Sequence, residues 1–133
     1  MLGDQLGQEH GQITGMRVLA SEGAPKVEVS FQATGTLAGV EVSDMGTYVS
    51  VARPDGTLYG EGQGVTMTPD GGMASWRGQG RGRFTGPGAV SWRGAIYFDS
   101  ASPQFARLTG CAVLYEYETD ADGKADAKYW EWK

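Results

Sequence analysis

The chain has 133 residues, one cysteine and a formal charge of −5, a length that suits one domain burying about two-thirds of its unfolded surface. The acidic balance argues against nucleic acid as the default partner, and a lone cysteine excludes an intramolecular disulfide and a cysteine-cluster metal site. No apolar run approaches the ~18 residues of a membrane span, and Met1 to His10 lacks the basic and apolar regions of a signal peptide, so a cytoplasmic protein is expected.

Residues 1–12 are polar and glycine-bearing without periodicity, which predicts a mobile lead-in, with the folded domain over 13–133. Ile13 to Ala20 reads as a first strand, and Ser21 to Pro25 as a turn. Lys26 to Thr34 alternates, with Val27, Val29, Phe31 and Ala33 on one face and polar residues on the other, the period of a half-buried strand. Thr36 to Val42 continues or pairs with it, and Met45 to Ala52 is the next strand.

Punctuated hairpins follow. Pro54-Asp55-Gly56 suits a three-residue loop closed by a left-handed glycine. Arg53 then opposes Thr57, and Val49, Val51, Tyr59, Glu61, Gln63 and Val65 share a face opposite Tyr48, Ser50, Gly60, Gly62 and Gly64. Pro69-Asp70-Gly71-Gly72 is a second turn, whose length its composition leaves open. Gly86-Pro87-Gly88 is a third; pairing Thr85 with Ala89 gathers Trp76, Phe84, Val90, Trp92, Ile96 and Phe98 on the inner face. Arg77, Gln79, Arg81, Arg83, Arg93 and Tyr97 lie outside. A last hairpin turns at Asp120-Ala121-Asp122-Gly123 and is expected to put Val113, Tyr115 and Tyr117 on one face with Trp130 and Trp132. The string Ser75-Trp76-Arg77-Gly78 returns as Ser91-Trp92-Arg93-Gly94, as adjacent strands meeting the same geometry require.

No helical period of useful length is present. About eight strands at hairpin spacing predict an all-β fold, a single antiparallel eight-stranded meander closed into a barrel because closure removes both exposed edges. A sandwich is the alternative. Glycine, at 22 residues, is dispersed among Val, Tyr, Phe and Trp, as tight turns and coiled strands require.

Arg53 to Gly64, Trp92-Arg93-Gly94, Tyr115-Glu116-Tyr117-Glu118 and Trp130-Glu131-Trp132-Lys133 together resemble an uncharacterised bacterial family of small barrels, grouped structurally with allene oxide cyclase-like, calycin-like barrels. The resemblance spans about Gln12 to Lys133. It implies the closed eight-stranded meander and a tendency to oligomerise. It implies no cyclase activity, because no catalytic position of that enzyme maps onto a residue here.

His10 is the only histidine, so a Ser-His-Asp triad and a histidine-rich metal site are excluded, and no cofactor is expected. Cys111 reads as a packed thiol. Gly60 to Gly64 lacks the helix and the Lys-Ser/Thr pair of a phosphate loop.

In the stated register Glu61 and Gln63 enter the barrel between Tyr59 and Val65. Polar groups converging in an aromatic interior are the mark of a small-molecule site. The expected ligand is small and apolar or amphipathic, contacted by Tyr59, Glu61, Gln63, Trp76, Trp92, Tyr115 and Trp130. Gly78, Gly80 and Gly82 would make room for it. The competing readings are a filled interior, or a shifted hairpin that leaves Glu61 outside beside Arg77 and Arg81. Two other functions stand beside binding: Glu61 as the general acid or base of an isomerase-like reaction, and a non-catalytic barrel that assembles into a homo-oligomer through its arginine-bearing strands.

Overall fold

Tight turns set the architecture. In the computed structural model, which describes residues 2–133, the strands are β1 (Leu2–Leu19), β2 (Lys26–Leu37), β3 (Val40–Ala52), β4 (Leu58–Met67), β5 (Met73–Gly86), β6 (Ala89–Asp99), β7 (Val113–Thr119) and β8 (Lys124–Trp132). Each pairs antiparallel with the next, and β8 returns to β1, closing the barrel as the sequence predicts.

Three hairpins share one loop. Arg53, Thr68 and Asp120 each donate their N–H to the carbonyl four residues on (2.8, 2.9 and 3.0 Å) and accept from the glycine three residues on. Those glycines, Gly56, Gly71 and Gly123, have φ of 87°, 92° and 82°, the left-handed region that a residue bearing Cβ avoids. The Thr85–Ala89 expectation holds for the body of its hairpin: Phe84 pairs with Val90, although a bulge at Thr85 makes Gly86 the partner of Ala89. Where the sequence suggested a strand through Thr36 to Val42, a two-residue turn at Ala38-Gly39 divides it (φ 52° and 77°).

Residues 2–12 are not a lead-in. From Gly7 onward they pair with β2 on one side and β8 on the other, and residues 2–5 also reach β8. The segment escapes periodicity analysis because its inward positions are Gly7, Glu9 and Gly11, followed by a bulge at Thr14. No hydrophobic alternation survives such a set. Met1 lies outside the described residues.

Between β6 and β7 the chain makes a 3-10 turn (Pro103–Phe105) and one helical turn, α1 (Ala106–Thr109). Phe105 and Leu108 have no solvent exposure and join the core with Leu6, Leu37, Val42 and Val113. They plug the barrel end that carries the β2–β3 and β4–β5 turns. Arg107, bonded to Asp4 and Glu131 at 3.0 Å each, ties this plug to β1 and β8. No helix among the described residues is long and apolar enough to cross a membrane.

Three expected core positions lie elsewhere. Tyr117 pairs with Ala127, and Tyr115 with Tyr129, so Trp130 stands on the outer face opposite Leu114 and Trp132 is exposed. The three-residue loop at Ala121–Gly123 pairs odd positions with odd, whereas the expected faces required an even loop. Phe84 has inward parity but lies beyond the rim and is exposed.

Candidate active site within the barrel

The inner wall alternates bare and bulky positions. Gly60 pairs with Gly80, and Gly62 with Gly78, so the glycines of β4 and β5 line the same inner face. Rings from other positions lie across them. A Cβ on Gly46 would stand 2.6 Å from Trp76 Cζ2, and one on Gly60 2.8 Å from Trp92 Cζ3, closer than atoms pack. The glycines therefore seat aromatic rings. Most of the volume that a glycine-lined barrel would free for a ligand is taken by Trp76, Trp92, Tyr48 and Tyr115.

What is left is a cavity of about 70 Å³ lined mainly by Phe31, Tyr48, Trp76, Trp92, Tyr117 and Tyr129, whose wall also includes Tyr115, Glu61 and Gln79 beside the glycines of β4 and β5. Phe31 and Trp76 stack at 6.1 Å between centroids, and Tyr48 meets Trp92 and Tyr117 edge-on at 5.6 and 6.0 Å. The hydroxyl of Tyr117 is buried without a standard hydrogen bond. Burial pushes the phenols of Tyr48 and Tyr115 up to about 12 and those of Tyr117 and Tyr129 higher, so all four are neutral at physiological pH.

Two carboxyl groups lie behind Trp76 and Tyr129. Glu9, on β1, is 1% exposed, and Asp44, on β3, is 5% exposed. Trp76 donates its indole N–H to Asp44 Oδ1 at 2.9 Å. Glu9 has Asp44 and Tyr129 as polar neighbours, yet neither reaches its oxygens with full hydrogen-bond geometry. Loss of water, then the proximity of Asp44, pushes Glu9 up to about 9. Burial also raises Asp44, opposed by the bond from Trp76. Two carboxyls this close in a dry interior do not both ionise at neutral pH.

Of the residues expected at a site, Trp76, Trp92 and Tyr115 line the cavity. Trp130 does not. Tyr59, Glu61 and Gln63 point outward, although the register predicted for their hairpin is correct, with Val49 opposite Glu61. Tyr48, not Val49, faces the interior. The reason lies in the next turn: the three-residue loop Pro69–Gly71 pairs even positions of β4 with even positions of β5, forcing Gly60 and Gly62 inside with Gly78 and Gly80. Glu61 adjoins the cavity wall only between these glycines, is exposed, and accepts a hydrogen bond from Tyr59 at 2.7 Å. The same hydroxyl also lies within hydrogen-bond reach of Gln79 Oε1, and Tyr59 carries Arg53 and Arg81 over its ring at 4.9 and 5.8 Å. Glu61 is therefore no buried general acid.

Glu9 and Asp44 were invisible as a pair because 35 residues and two turns separate them. The one available signal was an acidic residue at an inward parity position of each strand. His10, next to Glu9, points out and contacts Asp126. Cys111 is half-buried against the core, and burial pushes its thiol up.

No family model matches the chain, and no curated protein sequence does. Solved structures do. A protein of unknown function from Clostridium acetobutylicum superposes with a TM-score of 0.79 at 11% identity, over 98% of each chain. A conserved protein of unknown function from Rhodopseudomonas palustris gives 0.80 at 12% identity, over 98% of this chain and 97% of that one. An enzyme from Penicillium herquei gives 0.66 at 14% identity, over 96% and 92%. At these identities the likeness establishes the fold alone: the chain is a small closed barrel of a kind that includes proteins of unknown function.

Proposed function

We propose that this barrel binds a small amphipathic molecule in its interior, at the cavity bounded by Trp76, Trp92, Tyr117 and Tyr129. The observation that supports it most is the adjoining Glu9–Asp44 pair. Burying two carboxyls costs several kcal/mol, about the whole stability of many domains, unless something offsets it. A fold that only needed filling would place apolar side chains there. The site retains Trp76, Trp92 and Tyr115 of the aromatic residues expected from sequence, and its buried acidic groups are Glu9 and Asp44 where Glu61 and Gln63 were expected. Membership in the allene oxide cyclase-like group and a cytoplasmic setting belong to the same proposal, supported by the eight-stranded meander and the single cysteine.

The test is a titration of the purified protein with neutral and charged molecules of about four heavy atoms, followed by the indole N–H resonances of Trp76 and Trp92. Saturable shifts of both resonances are expected. Shifts confined to the exposed Trp132 would refute an interior site.

A second reading, association with a second copy, rests on the edge of β1. β8 leaves β1 after Gln12, so residues 15–19 pair only with β2, and Met16 and Val18 there are 68% and 81% exposed. An unpaired apolar edge is a template for another strand. Sedimentation should show a dimer that Val18→Lys dissociates; a wild-type monomer at all concentrations would remove this reading.

A further inference from the structure

We propose that the molecule taken up in the barrel is a small organic cation, an alkylammonium, held among the aromatic rings and balanced by the Glu9–Asp44 pair. This rests on the reading of the interior as a binding site and adds the ligand's charge and size.

Size comes from the cavity. About 70 Å³ accommodates roughly two waters by liquid volume, or an organic group of about four heavy atoms. Larger ligands would have to displace rings that the glycine wall holds in place.

Charge comes from the lining. The cavity-lining residues include Phe31, Tyr48, Trp76, Trp92, Tyr117 and Tyr129. Such rings attract a desolvated cation through their negative faces, most strongly tryptophan. No Lys or Arg lines the cavity. The buried Tyr117 oxygen, whose polar neighbour is the Tyr48 hydroxyl and which makes no standard hydrogen bond, can accept an ammonium N–H. The groups that face Glu9 and Asp44 are Tyr129 from β8, Trp76 from β5 and Thr66 from β4, none of them cationic. Trp76 and Tyr129, which line the cavity, are the polar neighbours of Asp44 and Glu9, so a buried counter-charge stands one ring behind the cavity, in addition to the exposed Glu61 at its wall.

The proton balance follows. A cation entering the cavity favours the ionised form of the carboxyl pair, so one proton leaves Glu9–Asp44 for solvent as the ammonium binds. The ammonium is then set against the ionised form of the carboxyl pair, and no covalent step is involved.

The experiment compares isopropylammonium with 2-propanol, which share a carbon skeleton and differ in charge, by titrating the full chain and following the Trp76 and Trp92 indole resonances. The cation should bind about tenfold tighter or more at pH near 8. Its preference should shrink toward pH 6, where protons compete, and should be lost in Glu9→Gln. The wild-type pH series is decisive even if the variant fails to fold. Equal or tighter binding of 2-propanol would overturn the cation assignment and leave interior binding standing. A cation preference independent of pH would overturn the role of the carboxyl pair. Failure of both molecules to shift the indoles would overturn this proposal together with the binding reading.

Discussion

Glu9→Gln should abolish most of the loss of stability that the wild-type barrel undergoes as pH rises from about 5 to about 8. The folded protein keeps a proton on Glu9 through this range, since burial and then Asp44 push the group up to about 9. The unfolded chain releases it near 4.5, the ordinary value. Folding therefore takes up a proton, its stabilisation is complete below the unfolded value, and it declines as pH climbs toward the folded one. One proton corresponds to about 1.4 kcal/mol per pH unit, or roughly 4 kcal/mol over three units. Asp44 is shifted in the same direction and adds to the slope. Asp55 and Asp70, held low by hydrogen bonds from Thr57 and Thr68, act only at more acid pH. Glutamine keeps the shape of glutamic acid without the proton, so the variant's slope should be well below that of the wild type, with only the Asp44 contribution left, and above about pH 7 it should be the more stable protein. Urea unfolding followed by circular dichroism at intervals of pH gives both slopes. A wild type whose stability is level or rising over this window, or a variant with the wild-type slope, would refute the reasoning.

Gly46→Ala should destabilise by about 1–3 kcal/mol or more, because the new Cβ meets Trp76 at 2.6 Å and Phe31 at 2.9 Å, both buried rings with no free space; chemical denaturation measures it. Phe105→Ala removes a fully buried ring from the plug and should cost about 3–5 kcal/mol, with increased hydrogen exchange in β7 as a second readout. Ala38→Asn should stabilise by about 0.5–1 kcal/mol, since Ala38 holds a φ of 52° that asparagine tolerates better; an unchanged unfolding midpoint would contradict that turn geometry.

Much of the fold is written in short-range chemistry. The Asp-Gly turns at residues 55–56, 70–71 and 122–123 each demand a left-handed glycine, and strands between such turns have one antiparallel way to continue. That fixes the meander, and eight strands without a covering layer fix its closure. Trp76, Trp92 and Tyr115 were legible as interior residues because their hairpins have large residues on one face. The candidate site was legible only in its aromatic half. Glu61 looked inward because a strand read alone puts its larger residues inside, whereas across the barrel the bare face of β4 receives Trp92 and Trp76. Glu9 and Asp44 carry no local mark: one sits in a segment whose inward neighbours are glycines, the other in an ordinary polar alternation. The contact between them, and the proton it keeps, exist only because closing the barrel carries β1 between β8 and β2 and removes water from both carboxyls at once.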